Sequence, residues 1–419
     1  MSYKKLGEYI RKVDLKNRDG KILNLQGLSM TKEFRKSTSN IIGTDLSTYK
    51  VVKDGQFCCD FMSVIRVHKL PVVLNTLGED VIISPAYVVF EIKDQSLLLP
   101  EYLMMWFRRS EFDRYADFRC DSSIRGGFQW EELGEVELPI PSIEEQRELV
   151  KQYHTISDKI KVNEQICEKL ETTAQTLYKH WFVDFEFPFD FAQGKPNEEG
   201  KPYKSSGGKM VFNEELAKEI PEGWKVKEIK EFGKIITGKT PSSNYPEDFG
   251  DDFQFITPGD FLNEKIIIES SRRLSSLGCN RLKNKINPKN SILITCIGSD
   301  MGKVSLNYEE CITNQQINSI VGNSNYYYEY LYYKLVEIKD ILKSIAVGGS
   351  TMPMLNKSSF EEIKILKPSN NIIELFHSSV LNNTEFYSTL KQQNRKFTQL
   401  QSLLLSRLAT LHKEKNLNR

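Results

Sequence analysis

The sequence predicts an α+β protein built twice: two homologous globular domains separated by two long antiparallel helices that form a coiled coil, related by a pseudo-twofold internal repeat. Three observations predict it. Along residues 149–181, Leu149, Tyr153, Ile156, Ile160, Asn163, Cys167, Leu170, Ala174, Leu177 and Trp181 alternate steps of four and three, the seam of a coiled coil. Shifted by 227 positions, the pattern returns as Phe376, Val380, Asn383, Tyr387, Leu390, Asn394, Phe397, Gln401, Leu404 and Leu408. The globular stretches repeat too: Glu101-Tyr102-Leu103 returns as Glu329-Tyr330-Leu331, Ser123 as Ser350, and Pro141-Ser142 as Pro368-Ser369. Seams of this length usually need a partner helix, and packing the two about a pseudo-twofold axis buries both; the alternative is that each seam packs on its own domain.

Taken in order, residues 1–140 form the first domain, with β-rich segments at 56–67 and 81–92 and one helix over 99–115, where Pro100 suits a first turn. Ser142 and Glu145 have the spacing of a capping box, so the first long helix, residues 141–183, starts there. Nine prolines and glycines between 184 and 224 mark a linker, with a short helix at 213–219. The second domain, residues 225–367, has strands at 291–297 and 312–321 and a helix over 328–342. The second long helix, residues 368–415, follows it.

Composition sets the class. With 419 residues, 39% hydrophobic and 27% charged, the chain holds two or three ordinary cores. Seven cysteines without a Cys-x-x-Cys pair argue against a disulfide framework and a zinc site. No apolar run reaches membrane-span length and no signal peptide is visible, so a cytoplasmic protein without a membrane partner is expected. A net charge of +1 is silent about partners, because it averages over local patches.

Leu138-Pro139-Ile140-Pro141-Ser142 with Glu144-Glu145-Gln146 opens the first long helix, and Tyr178-Lys179-His180-Trp181-Phe182-Val183-Asp184-Phe185 leaves it. Gly208-Lys209-Met210, Ile220-Pro221-Glu222-Gly223-Trp224 and Gly238-Lys239-Thr240-Pro241-Ser242 follow in that order. In these stretches the chain resembles the specificity subunit of bacterial and archaeal type I restriction-modification systems, along essentially its whole length. The resemblance implies two target-recognition domains, each reading one half of a split, asymmetric sequence on double-stranded DNA. It implies helices that act as spacer and as docking site for two copies of a methyltransferase subunit, with restriction and translocase subunits in the full complex. It also implies that S-adenosylmethionine, ATP and Mg2+ belong to those partners, and that this chain is non-catalytic and binds no cofactor. Asn370-Asn371 departs from the Glu-Glu-Gln opening of the first helix.

Duplex affinity comes from phosphate contacts, so exposed cations are the first candidates. Residues 270–299 hold Arg272, Arg273, Arg281, Lys283, Lys285 and Lys289 and no acidic residue, and Lys239 precedes them. In the first domain the candidates are Lys32, Arg35, Lys36 and Arg125, diluted by Glu33 and Asp121. Two other readings stay open: a nucleotide-dependent enzyme and a coiled-coil adaptor without nucleic acid. Residues 233–240 match G-x-x-x-x-G-K-[ST] literally, but that phosphate cradle needs a helix starting at its Lys-Thr, and Pro241 and Pro246 follow instead. Metal-dependent cleavage needs clustered carboxylates. Glu91 with Lys93 near Asp80 offers one pattern, yet Glu-x-Lys also occurs at Glu228 and Glu362, as alternating strand surface does. No Pro-Pro-aromatic run or Gly-rich cofactor loop for adenine methylation is present, and the five histidines show no ligand spacing.

Overall fold

The computed structural model describes residues 3–37, 44–120, 127–298, 300–345 and 354–410. Arg125 and the Ser123/Ser350 correspondence lie outside them. The chain divides into two compact units, residues 1–161 with 395–419, and residues 162–394.

In the first unit a four-stranded antiparallel sheet runs in the order Ile10–Val13, Val88–Ile92, Phe57–Cys59, Val72–Leu74. Alternation along these strands builds two cores, since successive side chains leave opposite faces. Phe57, Cys59, Val72, Leu74, Phe90 and Ile92 join the helix Pro100–Phe107 in the larger one, while Cys58, Val73 and Val89 meet Val52, Val81 and Ile83 on the other face. Phe57 stacks on Phe90 at 4.9 Å, and Phe107 closes edge-on at 5.9 Å. The strand Tyr3–Lys5 pairs with Glu137–Pro139, just ahead of the first long helix.

The second unit has a comparable strand pair ahead of its long helix. Lys225–Glu228 pairs with Lys364–Lys367 ahead of the second long helix. A five-stranded sheet runs Gly233–Thr237, Ile317–Gly322, Ile292–Thr295, Val304–Asn307, Ile266–Ile267. Ile235, Ile292, Ile294, Leu306 and Ile320 face the helix Tyr327–Glu337, and Leu293, Ile267 and Ile317 face a second core with Ile256, Phe261 and Cys311. Beyond that core lies a sheet of Arg272–Leu274, Phe249–Ile256 and Cys311–Thr313.

Both long helices are present as Ile143–Tyr178, continued by a π-helical turn Lys179–Val183, and Asn370–Arg407. The capping box closes the first: Glu145 N–H donates to Ser142 Oγ at 3.3 Å and Ser142 N–H to Glu145 Oε2 at 3.2 Å. The second starts without that box; Ser369 C=O accepts from Ile372 and Ile373, and Tyr327 OH donates to Asn370 Oδ1 at 2.9 Å. Within the second unit Asn163 Nδ2 donates to Asn394 Oδ1 at 2.8 Å and Trp181 meets Phe376 at 5.8 Å, so the index on one helix falls as the other rises. Within the first, Gln401 Nε2 donates to Ser157 Oγ at 2.6 Å. Of the expected seam, Asn163, Trp181, Tyr387, Leu390 and Leu408 are buried, and Ile156, Ile160, Leu170, Leu177, Phe397 and Leu404 are half-buried.

Several sequence expectations are corrected, among them the strand at 312–321, which breaks into Cys311–Thr313 and Ile317–Gly322. The expected strand at 56–67 ends at Cys59, and Val64–Val67 is a helical turn, because the Asp60 carboxylate captures the N–H groups of Met62 and Ser63. The expected helices at 99–115 and 328–342 each break in two, into Pro100–Phe107 and Ser110–Phe118, and into Tyr327–Glu337 and Lys339–Ile345. Arg109 is the first break, extended at ψ 139° with its guanidinium 4.2 Å over Trp106. Residues 184–224 form structure rather than a bare linker: three short strands around Pro188–Asp190, and the hairpin Met210–Asn213 with Lys218–Pro221. Phe187 stacks between Tyr203 at 4.6 Å and Trp224 at 5.3 Å. The expected helix at 213–219 is that hairpin's turn, where Asn213 Oδ1 accepts from Leu216 N–H at 3.0 Å and Ala217 takes φ 48°.

Candidate nucleic-acid interface

The cations that stand together in the sequence differ in their partners. Arg281 is neutralised, with Nη1 2.7 Å from Asp248 and Nη2 3.2 Å from Glu247, and it lies 4.1 Å over the Tyr245 ring. Arg273 spends its guanidinium on the carbonyls of Asp251 at 2.8 Å and Asp252 at 3.1 Å. Lys285 Nζ donates to Thr237 C=O at 2.9 Å. Arg272, Lys283, Lys289 and Lys239 are exposed and have no carboxylate partner among the described residues. Arg272 stacks 4.3 Å over Phe249 and Lys289 sits 4.8 Å over Tyr308, which holds each cation at the surface without neutralising it.

In the first unit Lys32 is buried, not a surface cation. Its Nζ lies 2.7 Å from Asp113 Oδ1 and also donates to Phe107 C=O. Burial pulls its ammonium below the usual lysine range, and Asp113 offsets only part of that. Lys32 therefore holds the hairpin of Gln26–Leu28 and Phe34–Lys36 against the helices. Arg35 and Lys36 are exposed on that hairpin, Arg35 Nε donating to Leu28 C=O at 3.2 Å.

Three loops of the second unit converge on Lys239. Gly238 N–H donates to Ile317 C=O at 3.1 Å, and Lys239 N–H to Thr313 C=O at 2.8 Å. Thr240 Oγ1 donates to Gln315 Oε1 at 2.6 Å, and Lys285 ties in the turn Lys283–Lys285. A Cβ at position 238 would stand 2.1 Å from Asn314 O, so only glycine lets the chains approach this closely. Sequence reasoning reached Lys239 but missed Gln315 and the carboxylates on Arg281, because these partners lie 75 and about 33 residues away and no local pattern announces them.

The literal nucleotide-loop match is a strand, Gly233–Thr237, followed by this corner and then the 3-10 turn Pro246–Asp248, with no helix starting at Lys239. Its backbone cannot aim a row of N–H groups at a phosphate chain, which disfavours the nucleotide-enzyme reading. Glu91 is occupied by Gln56 at 2.7 Å and Arg11 at 2.6 Å, which hold its carboxyl below the usual range. No group of three or more His, Cys, Asp or Glu side chains that could hold a metal occurs among the described residues. No helix among them is long and apolar enough to cross a membrane.

Exposed cations on a β-rich fold are what a DNA-recognition protein needs. Residues 221–403 match the family model described as Type I restriction modification DNA specificity domain. Over 374 residues the chain is 31% identical to the Type I restriction enzyme HindI specificity subunit of Haemophilus influenzae, covering 79% of this chain and 81% of that one. It is 30% identical over 290 residues to the Type I restriction enzyme MjaIX specificity subunit of Methanocaldococcus jannaschii, covering 68% and 62%. In fold it is similar to the S subunit of a type I restriction-modification system from M. genitalium, with a TM-score of 0.56 at 13% identity, covering 97% and 96% of the two chains. The chain belongs to the family of type I restriction-modification specificity subunits, the non-catalytic subunits that recognise the DNA target.

Proposed function

We propose that the chain directs an adenine methyltransferase, and in the full assembly a translocating nuclease, to a bipartite asymmetric DNA target. Residues 1–140 read one half-site and residues 225–367 the other, while the long helices Ile143–Tyr178 and Asn370–Arg407 set the unread spacing and dock two methyltransferase copies. S-adenosylmethionine, ATP and Mg2+ act in the partner subunits, and the complex works in the cytoplasm. The observation that carries this reading is the recurrence of one frame: Tyr3–Lys5 on Glu137–Pro139 ahead of the first long helix, Lys225–Glu228 on Lys364–Lys367 ahead of the second. Two such frames offer two quasi-equivalent surfaces, with different loops on each to read base edges. The exposure of Arg35, Lys36, Lys239, Arg272, Lys283 and Lys289 supports the reading, in which these cations meet the DNA.

Mapping methylated adenines in cells with and without the chain tests the reading. The expected result is a split motif lost with the chain, half of which changes when residues 1–140 are exchanged for those of a relative. A folded chimera that changes both halves would sink the modular assignment, and a mass corresponding to one methyltransferase copy at saturation would sink the paired docking.

A further inference from the structure

The nucleotide-loop lookalike ends at Lys239 and Thr240 in a tightly braced corner of the second unit. Every backbone constraint on Lys239 is internal: Lys239 N–H is held by Thr313, Gly238 N–H by Ile317, and the preceding carbonyl, Thr237 C=O, by the Lys285 ammonium. Lys283 shares the 3-10 turn with Lys285, so that turn and the 238–240 corner present their ammonium groups from neighbouring loops. Both lysines are exposed without a carboxylate partner among the described residues, unlike Arg281 in the same sequence cluster. Asp260, on another loop of this unit, has both oxygens engaged, by Thr257 N–H and Oγ1 and by Ser271 N–H, and its Thr257 belongs to the strand end next to Asn314. The main chain beneath the two lysines is fixed and their charge is uncompensated.

We propose that the corner of Lys239, Thr240 and Gln315 with Lys283 is a phosphodiester anchor, through which the second unit grips the DNA backbone irrespective of sequence. This rests on the DNA-recognition reading above and adds to it which side of that reading the corner serves. A lysine ammonium is a compact point charge suited to a phosphate oxygen, whereas discrimination of a base edge favours planar, paired donors and acceptors. Gln315, the planar amide at this corner, has its oxygen tied to the Thr240 hydroxyl at 2.6 Å, which fixes it as a brace. Backbone contacts of this sort set register on the duplex and leave sequence to be read elsewhere.

The test uses the full chain assembled with its methyltransferase partner and two duplexes, one bearing the methylated site and one scrambled. Affinity is followed from about 50 to 200 mM salt, where each phosphate contact contributes a log–log slope of about 0.9. Lys239→Ala and Lys283→Ala should each weaken both duplexes alike and flatten that slope by about 0.9, and the double variant by roughly twice as much. Lys239→Arg, which keeps the charge, should retain the slope. Either alanine variant with the unaltered slope overturns the anchor, as does relaxed specificity at one base pair without a slope change. Displacement of the scrambled duplex by millimolar ATP in the parent but not in Lys239→Ala would assign the corner to nucleotide and overturn it as well. A parent complex with no salt-dependent duplex binding fails earlier and overturns the recognition reading itself.

Discussion

Replacing Lys265 by Met should destabilise the second unit more than any surface change. Its ammonium is only 2% exposed and sits 2.8 Å from Glu329 Oε2, which is 0% exposed. It also donates to Tyr333 OH at 3.0 Å and Thr384 Oγ1 at 2.9 Å, with Glu171 at 3.9 Å. Lys265 thus ties the sheet edge to both long helices, through Glu171 on one and Thr384 on the other. At 2.8 Å and an effective dielectric of about 20, the gross attraction is about 6 kcal/mol, most of it offset by desolvation of the two ions. Removing the lysine leaves the desolvation of Glu329 uncompensated, on a carboxylate whose Oε1 already lacks a partner, and the expected cost is about 3–5 kcal/mol. Lys265→Met with Glu329→Leu should recover most of that loss, since no buried charge remains. Hydrogen exchange over Tyr327–Glu337 reads the unit separately from the rest of the chain. A cost below about 1 kcal/mol for the single variant, or a double variant no better than the single, refutes the assignment of a paired buried charge.

Three other predictions concern the helices. His377 is half-buried with Nδ1 unpartnered, against the Tyr328 ring and near Glu329, Glu374, Glu385 and Lys265; burial lowers its pKa from about 6.5, so the unfolded chain binds the proton first. Stability should therefore fall as pH drops through about 6.5 toward the lowered folded value, and His377→Gln should flatten that slope in denaturation at pH 5 to 7. Asn163→Leu or Asn394→Leu alone removes the buried amide–amide hydrogen bond and should cost about 1–3 kcal/mol in urea unfolding, with the double leucine variant more stable than either single one. A heptad inserted near both Lys169 and Lys396 should keep the seam in register, add about 10 Å of helix, and widen the unread gap in the methylated motif by roughly three base pairs; a folded, partner-bound variant that modifies only the original spacing removes the helices as the ruler.

What was legible in the sequence was what local spacing encodes. The seam residues from Leu149 to Trp181 turn inward because steps of four and three place them on one helical stripe, and Ser142 with Glu145 caps because both groups fall within one turn. Strand existence was legible as well, but not strand ends: Asp60 stops the strand Phe57–Cys59 with side-chain hydrogen bonds that hydrophobic pattern does not register. The region of 184–224 misled for a related reason. Prolines and glycines forbid long elements, yet Phe187, Tyr203 and Trp224 supply enough aromatic surface to hold strands of two to four residues in place.

Charge was the least legible property, and the failure has a physical form. A lysine or arginine carries a long apolar stem, so its head reaches whatever lies within several ångströms, including groups dozens of positions away. Lys32, even beside Glu33, and Arg281 were both read as surface cations, yet Lys32 finds Asp113 and Arg281 finds Asp248. The difference between them and Lys239 lies in the backbone beneath. Lys32 takes φ 61° in a hairpin turn that directs its stem into the helices, whereas Lys239 follows a glycine pressed against Asn314 and leaves the fold outward. A cation count along the sequence therefore bounds an interface from above, and the share that can meet a phosphate is set by which main-chain positions face away from every carboxylate. In the second cluster the exposed cations without a carboxylate partner among the described residues are Arg272, Lys283 and Lys289, and Lys239 joins them from a strand end more than thirty residues earlier.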